Sequence, residues 1–307
     1  MNKLIDRTIV CCYLYVISRY GYPPPAEQTV QHLIEMHDLG FQAIELEGIR
    51  ENHLKEIYSY RHEIKAKIEE LQLNVPYFCV VLPGLSSKNR DVRIKNLNLF
   101  EIGCQIAQLF DSRGVLDNAP LPPYQFPEGI PVIRHYDEDI LQQASIPYDL
   151  NWKKYWQNMI STYQNACDIA AKYNLTYHMH PCLGVLGATS DAFLYFHDAV
   201  KRDNLRFNLD TANQFVMKEN LSLAVIRLAE YIDYIHLSDN RGIKVEHLPP
   251  SKGKINWEKF FSTLNHIGFN GHIGLDIGGE ESMIEKIEEE YIISAEWLEK
   301  NIKNMVA

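Results

Sequence analysis

Short apolar runs rich in β-branched and aromatic residues alternate with longer amphipathic segments along most of the chain. We predict strands over residues 8–16, 41–45, 74–81, 106–110, 175–180, 205–209, 234–237 and 272–277. Strands that alternate with helices form βαβ units and a parallel sheet. Eight strands are the number that closes a barrel, so the pattern predicts an α/β protein with the (β/α)8 TIM-barrel fold, in a single domain over residues 1–307.

The segments between these runs have the period of amphipathic helices. In "AEQTVQHLIEMHDLG" the apolar side chains of Val30, Leu33, Ile34 and Leu39 form one stripe. The segment "ENHLKEIYSYRHEIKAKIEELQL" is densely charged on its other face. A helix with one apolar stripe packs that stripe inward and exposes the rest, so we expect these helices to cover the outside of the barrel.

Residues 114–150 interrupt the alternation, with six prolines and little periodicity. A loop this long in a compact domain is usually functional, and after the fourth predicted strand it would lie at the C-terminal face of the barrel, where active sites form. We therefore predict a lid or binding loop with Tyr124, Arg134 and Tyr136 as substrate-binding residues. An insertion that serves only oligomer contacts is the alternative.

Composition and charge exclude several classes of function. A net charge of −10 disfavours binding to nucleic acid, because a surface that binds phosphates needs clustered Lys and Arg side chains. No apolar run approaches the ~18 residues that indicate a membrane span. The six cysteines lack C-x-x-C spacing and the N-terminus does not resemble a signal peptide, so we predict a cytoplasmic protein. The sequence is also compatible with a homo-oligomer.

Four successive predicted strands end on a histidine or an aspartate. His180 ends "TYHMH", Asp210 ends "RFNLD", His236 lies in "YIHLSD" and Asp276 in "GLDIGG". Parallel barrel strands converge at their C-terminal ends, and two imidazoles with two carboxylates suit one divalent ion such as Mn, Zn, Co, Fe or Mg. Each residue alone has an ordinary alternative, a hydrogen-bonded core histidine or a helix-capping aspartate.

His178 lies two residues before His180 in the same predicted strand. By the period of two it faces the barrel interior one layer lower. We therefore expect His178 to be a core histidine, or one that supports a metal ligand, rather than a ligand itself.

Over nearly its whole length, and most clearly from Leu175 to Glu280, the chain resembles the xylose isomerase-like superfamily, in particular its sugar phosphate isomerase/epimerase group. The most specific stretch is "YIHLSDNRGIKVEHLPPSKGKINWEKFFSTLNHIGFNGHIGLDIGG". The resemblance implies ligands Glu, Asp, His and Glu on strands five to eight, where this chain has His180, Asp210, His236 and Asp276. Two of the four depart from that pattern, and Asn213 occupies a position that is often His, where we expect it to contact substrate.

The resemblance implies a metal-dependent isomerase or epimerase that acts on a sugar or polyol through an enediolate. Such a reaction needs a base at the carbon next to the carbonyl, and the candidates are Asp276, His247, Glu47 and Glu45. The altered ligands keep open a lyase or dehydratase acting on a keto-sugar or an inosose-like compound. More remote alternatives are DNA repair as in endonuclease IV, and a binding barrel without chemistry.

Overall fold

The computed structural model describes residues 4–118, 120–128 and 138–306, with side chains up to residue 303. Within these ranges one sheet contains nine strands, and every neighbouring pair is parallel. The strands are β1 Ile9–Cys11, β2 Ala43–Ile44, β3 Leu46–Ile49, β4 Tyr77–Val81, β5 Gly114–Asn118, β6 Thr176–His180, β7 Leu205–Asp210, β8 Tyr234–Leu237 and β9 His272–Leu275.

The two ends of this sheet are adjacent pieces of one chain segment. The strand order is β2-β1-β9-β8-β7-β6-β5-β4-β3, and only Glu45 separates β2 from β3. A parallel bridge between Ala43 and Asn74 narrows the remaining gap. The sheet is therefore a nearly closed barrel in which one of eight barrel positions is split into two short strands, and the predicted TIM-barrel fold is confirmed.

Helices follow the strands and cover the barrel. They are α1 Leu14–Tyr20, α2 Thr29–Asp38, α3 Arg50–Glu70, α4 Arg90–Leu109, α5 Glu138–Gln143, α6 Trp152–Lys172, α7 Ser190–Val200, α8 Thr211–Val216, α9 Leu221–Arg227, α10 Trp257–His266 and α11 Ile287–Val306. The two segments with predicted helical periodicity form α2 and α3. None of the described helices combines the length and the apolar character needed to cross a bilayer.

The lower part of the barrel interior is filled by aromatic rings. Tyr77 of β4 stacks on Tyr234 of β8, with ring centroids 4.0 Å apart and planes 13° from parallel. His178 meets the edge of Tyr77 at 4.8 Å. Aromatic pairs contribute about 0.5–1.5 kcal/mol to stability beyond the burial of their surface. This layer of rings therefore stabilises the barrel below its C-terminal face.

Three strand predictions differ from the structure, the second because the strand predicted over residues 41–45 is β2 and is followed by the unpredicted β3. The predicted first strand over residues 8–16 is β1 only as far as Cys11, because the same apolar run continues into the buried start of α1. The predicted fourth strand over residues 106–110 is wrong: these residues form the end of α4 and its C-cap. A short apolar run in a buried helix has the same composition as a strand, and the true fourth strand is β5.

The long loop consequently begins after Asn118 rather than at Gly114. It contains α5 and is joined to itself by an antiparallel bridge between Gln125 and Ser145. The hydroxyl of Tyr124 donates to the carbonyl of Gly184, 3.0 Å away. Residues 129–137 lie outside the described part of the chain, so the assignment of a lid stays a prediction.

Candidate metal centre

Four side chains converge at the C-terminal end of the barrel. His180 ends β6, Asp210 ends β7, His236 lies in β8 beside Asp210, and Asp276 follows β9. One nitrogen or oxygen atom from each lies within 4.8 Å of the others, and all four residues are buried. The structure therefore brings together the residues named from the strand ends, and we refer to them as the His/Asp cluster.

Asp210 is the most heavily hydrogen-bonded member of the cluster. Its Oδ2 lies 3.1 Å from His180 Nε2 and accepts a 2.8 Å hydrogen bond from Asn213 Nδ2. Its Oδ1 accepts from the backbone N–H of Asn213, which caps α8. Asp210 thus serves both as the helix cap of the ordinary alternative and as a member of the cluster. Asn213 touches Asp210, and its predicted contact with substrate stays a prediction.

His236 joins the cluster to a carboxylate on its other side. Its Nδ1 lies 3.7 Å from Asp276 Oδ2, and its Nε2 lies 3.0 Å from Glu45 Oε2. Glu45 also accepts a hydrogen bond from the Tyr234 hydroxyl at 2.9 Å. This carboxylate is the residue that separates β2 from β3, and its contacts hold the imidazole in place, as carboxylates do behind metal-ligating histidines.

The charges of the cluster favour a cation. Burial lowers the pKa of His180, which leaves a neutral imidazole. Burial opposes a charge on His236, but Glu45 and Asp276 outweigh it and raise the pKa of His236 to about 9. Burial also works against ionisation of Asp210, yet the hydrogen bond from His180 keeps the pKa of Asp210 below its usual range. Two carboxylates, those of Asp210 and Asp276, thus lie buried beside the two imidazoles.

The donor set fits a divalent ion. Nδ1 of His180 and Nδ1 of His236 are buried and have no hydrogen-bond partner within the described part of the chain. An imidazole nitrogen buried without a partner costs free energy unless something binds it. His236 presents Nδ1 toward Asp276 and His180 presents Nε2 toward Asp210, so the cluster combines two imidazoles with two carboxylates. This donor set matches the ligand preference of ions such as Zn²⁺, Mn²⁺ and Co²⁺.

His247 approaches the cluster from the loop after β8. Its Nε2 lies 3.6 Å from Asp276 Oδ2, and its Nδ1 lies 2.8 Å from Glu281 Oε1. His247 is fully buried and has a left-handed backbone with φ of 44°. The sequence does not single out Glu281, because "GGEES" contains two adjacent glutamates and no spacing that distinguishes them.

A small cavity lies against the cluster. Its walls include Tyr22, Glu47, Asn118, His180 and Cys182. Its volume of about 20 Å³ is enough to hold an ion or a water molecule.

The other predicted site residues are placed as follows. Glu47 lines the cavity, whereas Glu45 lies against His236 and is not among the cavity walls. Tyr124 contacts Gly184 and is also absent from those walls. Arg134 and Tyr136 lie outside the described residues.

His178 does not support a ligand of the cluster. Its Nε2 lies 2.5 Å from Asp233 Oδ1 and its Nδ1 lies 3.3 Å from the Thr176 hydroxyl, both toward the N-terminal end of the barrel. Of the two expected roles, His178 has that of a buried core histidine and not that of a support for a ligand. Residues two apart in a strand point the same way and still reach different layers.

Comparison with solved structures shows the same fold. A D-tagatose 3-epimerase-like protein has a TM-score of 0.69 and 18% identity, with 97% of each chain covered. D-psicose 3-epimerase from Clostridium cellulolyticum H10, solved with D-tagatose, has a TM-score of 0.70 and 12% identity, with 94% of this chain and 97% of that chain covered. The 3-keto-D-glucoside 4-epimerase of E. coli has a TM-score of 0.71 and 15% identity, with 96% and 100% covered.

Two comparisons at the level of sequence give different results. A search of curated proteins finds no match. The profile of the family described as "Xylose isomerase-like TIM barrel" matches residues 33–301, which include the whole His/Asp cluster. The chain belongs to the xylose isomerase-like TIM barrel family.

Proposed function

We propose that the protein is a metal-dependent isomerase or epimerase acting on a small sugar or polyol. The observation that carries this proposal is the convergence of His180, Asp210, His236 and Asp276, all buried and with donor atoms within 4.8 Å of one another. The epimerases of similar fold support a sugar as the substrate class. The cation would polarise a substrate carbonyl and so acidify the neighbouring C–H bond.

The side chains around the cluster supply candidates for moving that proton. Asp276 contacts both His236 and His247, and Glu281 hydrogen-bonds to the far nitrogen of His247. Glu47 lines the cavity together with His180. An epimerase must remove a proton from one face of a carbon and return it to the other, so we assign the two faces to Asp276 with His247 and to Glu47.

Glu45 fits a positioning role in this scheme better than the role of a base. Its carboxylate already accepts hydrogen bonds from Tyr234 and from His236, and it does not line the cavity. By holding Nε2 of His236, Glu45 leaves Nδ1 of that ring directed at Asp276.

A deuterium-exchange assay tests the proposal. The protein is loaded with Mn²⁺, Co²⁺ or Zn²⁺, and ketoses, aldoses and inososes are incubated in heavy water while deuterium at the α-carbon is followed. We expect metal-dependent exchange that Asp210→Ala and His236→Ala abolish. Failure of the wild-type protein to bind any of the three ions would overturn the proposal and favour a binding barrel.

A lyase or dehydratase is the second candidate, and the His247–Glu281 pair favours it. Loss of a hydroxyl from the carbon beyond the enediolate requires an acid, and a buried imidazole hydrogen-bonded to a carboxylate can supply one. His180 stands where the family ligand is Glu, which removes one carboxylate from proton exchange. Analysis of the same incubations for a dehydrated product separates the two reactions: an epimerase conserves the mass of its substrate, whereas a dehydratase releases water.

A further inference from the structure

A second set of metal-ligating side chains lies on the other side of the His236 ring. Cys12, Glu45 and His236 place one sulfur, oxygen or nitrogen atom each within 4.8 Å of one another. The Tyr234 hydroxyl is also within reach, 2.9 Å from Glu45 Oε2 and 3.5 Å from Cys12 Sγ. We call Cys12, Glu45 and His236 the Cys12 cluster. It shares His236 with the His/Asp cluster.

The Cys12 cluster is built into the barrel rather than exposed on its surface. Cys12 is 0% exposed, Glu45 1% and His236 2%. The backbone N–H of Cys12 donates to Leu275 of β9, and that of Glu45 donates to Cys11 of β1, so both side chains are held by the sheet.

Gly274 of β9 makes the room that this cluster occupies. A Cβ at that position would lie 2.4 Å from Cys12 Sγ and 2.7 Å from the Tyr234 hydroxyl. Any larger residue would have to push both groups aside, so the space around the thiol depends on a glycine.

The donors of the two clusters differ in chemical softness. The His/Asp cluster offers two imidazoles and two carboxylates, which suit Mn²⁺ or Mg²⁺ as well as Zn²⁺. The Cys12 cluster adds a cysteine sulfur, which binds as a thiolate once a cation displaces its proton. Thiolates select Zn²⁺ and comparable thiophilic ions over Mn²⁺ and Mg²⁺. We propose that Cys12, Glu45 and Nε2 of His236 form a second cation site, specific for thiophilic ions such as Zn²⁺, Cd²⁺ and Co²⁺.

The shared imidazole makes the two sites competitors. When a cation binds Nδ1 of His236 in the His/Asp cluster, the ring keeps its proton on Nε2, where Glu45 accepts it. A cation in the Cys12 cluster binds Nε2 and displaces the thiol proton of Cys12, while the ring keeps one proton on Nδ1, facing Asp276. A neutral imidazole has one lone pair on nitrogen to donate, so it serves one site at a time. For as long as it occupies the Cys12 cluster, a thiophilic ion therefore withdraws His236 from the His/Asp cluster.

Cobalt binding tests the ligand set without any assay of activity. Co²⁺ bound to a thiolate gives a charge-transfer band in the near ultraviolet, and Co²⁺ bound to nitrogen and oxygen alone does not. We expect this band when the metal-free wild-type protein is titrated with Co²⁺, and we expect it to be absent from Cys12→Ser. Cys182→Ser is the matched control, because Cys182 lines the cavity at the His/Asp cluster.

The outcomes of the cobalt titration are distinct. A band in the wild type and in Cys182→Ser but not in Cys12→Ser supports the site. A wild-type protein that binds Co²⁺ without the band, or a band that survives in Cys12→Ser, overturns it. Should Cys12→Ser fail to fold, cadmium NMR of the wild type decides, because a thiolate ligand shifts the resonance far from that of a nitrogen and oxygen site.

Competition between ions tests the shared imidazole. Bound Mn²⁺ is followed by electron paramagnetic resonance while Cd²⁺ is added. We expect Cd²⁺ to release Mn²⁺ from the wild type, and release from Cys12→Ser to need at least about tenfold more Cd²⁺, equivalent to ~1.4 kcal/mol of lost binding. Equal release from both proteins would overturn the competition. Cation binding that Asp210→Ala leaves unchanged would sink the proposed function, while the cobalt titration would still decide on the Cys12 cluster.

Discussion

The two ends of the barrel interior are both rich in histidine, but they use it differently. At the C-terminal end, His180 and His236 are buried among carboxylates and each keeps an Nδ1 without a hydrogen-bond partner in the described chain. Toward the N-terminal end, His178 pairs with Asp233 and packs against Tyr77. His178 and His180 are two residues apart in one strand, so the layer rather than the residue type separates a structural histidine from a candidate ligand.

Substitution of Asp210 should have the largest effect on the C-terminal end of the barrel. Asp210→Asn keeps an oxygen to cap α8 but removes the charge, and we expect cation affinity to fall by more than the ~10–100-fold typical of residues behind the ligands. Asp210→Ala should in addition cost about 1 kcal/mol of stability through the lost cap. Calorimetric metal titration and urea unfolding measure the two effects. Asp191→Asn, at the exposed start of α7, is the matched control, and equal loss there would contradict the assignment.

His178 and His180 form the sharpest pair of variants. His178→Ala removes a buried ring and leaves Asp233 without its partner, so we expect about 2–4 kcal/mol of destabilisation and no change in cation affinity. His180→Ala should lose cation binding. Urea unfolding and metal titration of both proteins check this. Equal loss of metal in His178→Ala would show that the two layers are coupled.

Glu281 tests whether the C-terminal end is organised for proton transfer. Glu281→Gln keeps the size of the side chain but weakens its hold on His247, and we expect about a 10–100-fold loss of α-proton exchange with little loss of bound metal. Glu281→Asp should restore part of that rate. Glu280→Gln, at the exposed neighbouring position, should leave exchange unchanged, and an equal loss there would indicate a general effect on the loop.

The smallest expected effect concerns pH and the N-terminal end. Burial lowers the pKa of His272 from 6.5 to about 4, with the charge of Arg113 adding to the shift. Because the folded-state pKa lies below the unfolded value, the contribution of His272 to stability is complete above pH 6.5 and is lost as the pH falls toward 4.

Urea unfolding at neutral and at acidic pH measures this contribution. We expect His272→Gln to lose on the order of 1–2 kcal/mol less stability than the wild type over that pH range. His266→Gln, an exposed histidine at the end of α10, should behave like the wild type. Parallel pH dependence of all three proteins would contradict a buried neutral His272.

Local patterns explain which structural predictions succeeded. The helical period of α2 and the period of two in β6 and β8 can be recognised without the fold. Of the predicted α2 stripe, Leu33 and Leu39 are buried, whereas Val30 and Ile34 are only half-buried. Residues 106–110 were misread because a buried helix end and a buried strand select the same apolar residues. The split of the second barrel strand at Glu45 had no local signal, because it follows from pairing with β1 on one side and β4 on the other.

Period-two alternation and the common direction of parallel strands were enough to bring His180, Asp210, His236 and Asp276 to one face of the barrel. Which atoms then pair depends on contacts between distant segments. Glu45 reaches His236 across 191 residues, and Glu281 reaches His247 across 34. No periodicity records such partners, because they depend on how the strands are staggered around the barrel and on where each loop crosses its rim. The sequence of each strand therefore determines which residue stands at its C-terminal end. Which hydrogen-bond partner that residue has, and which of its atoms lacks one, depends on the closed barrel.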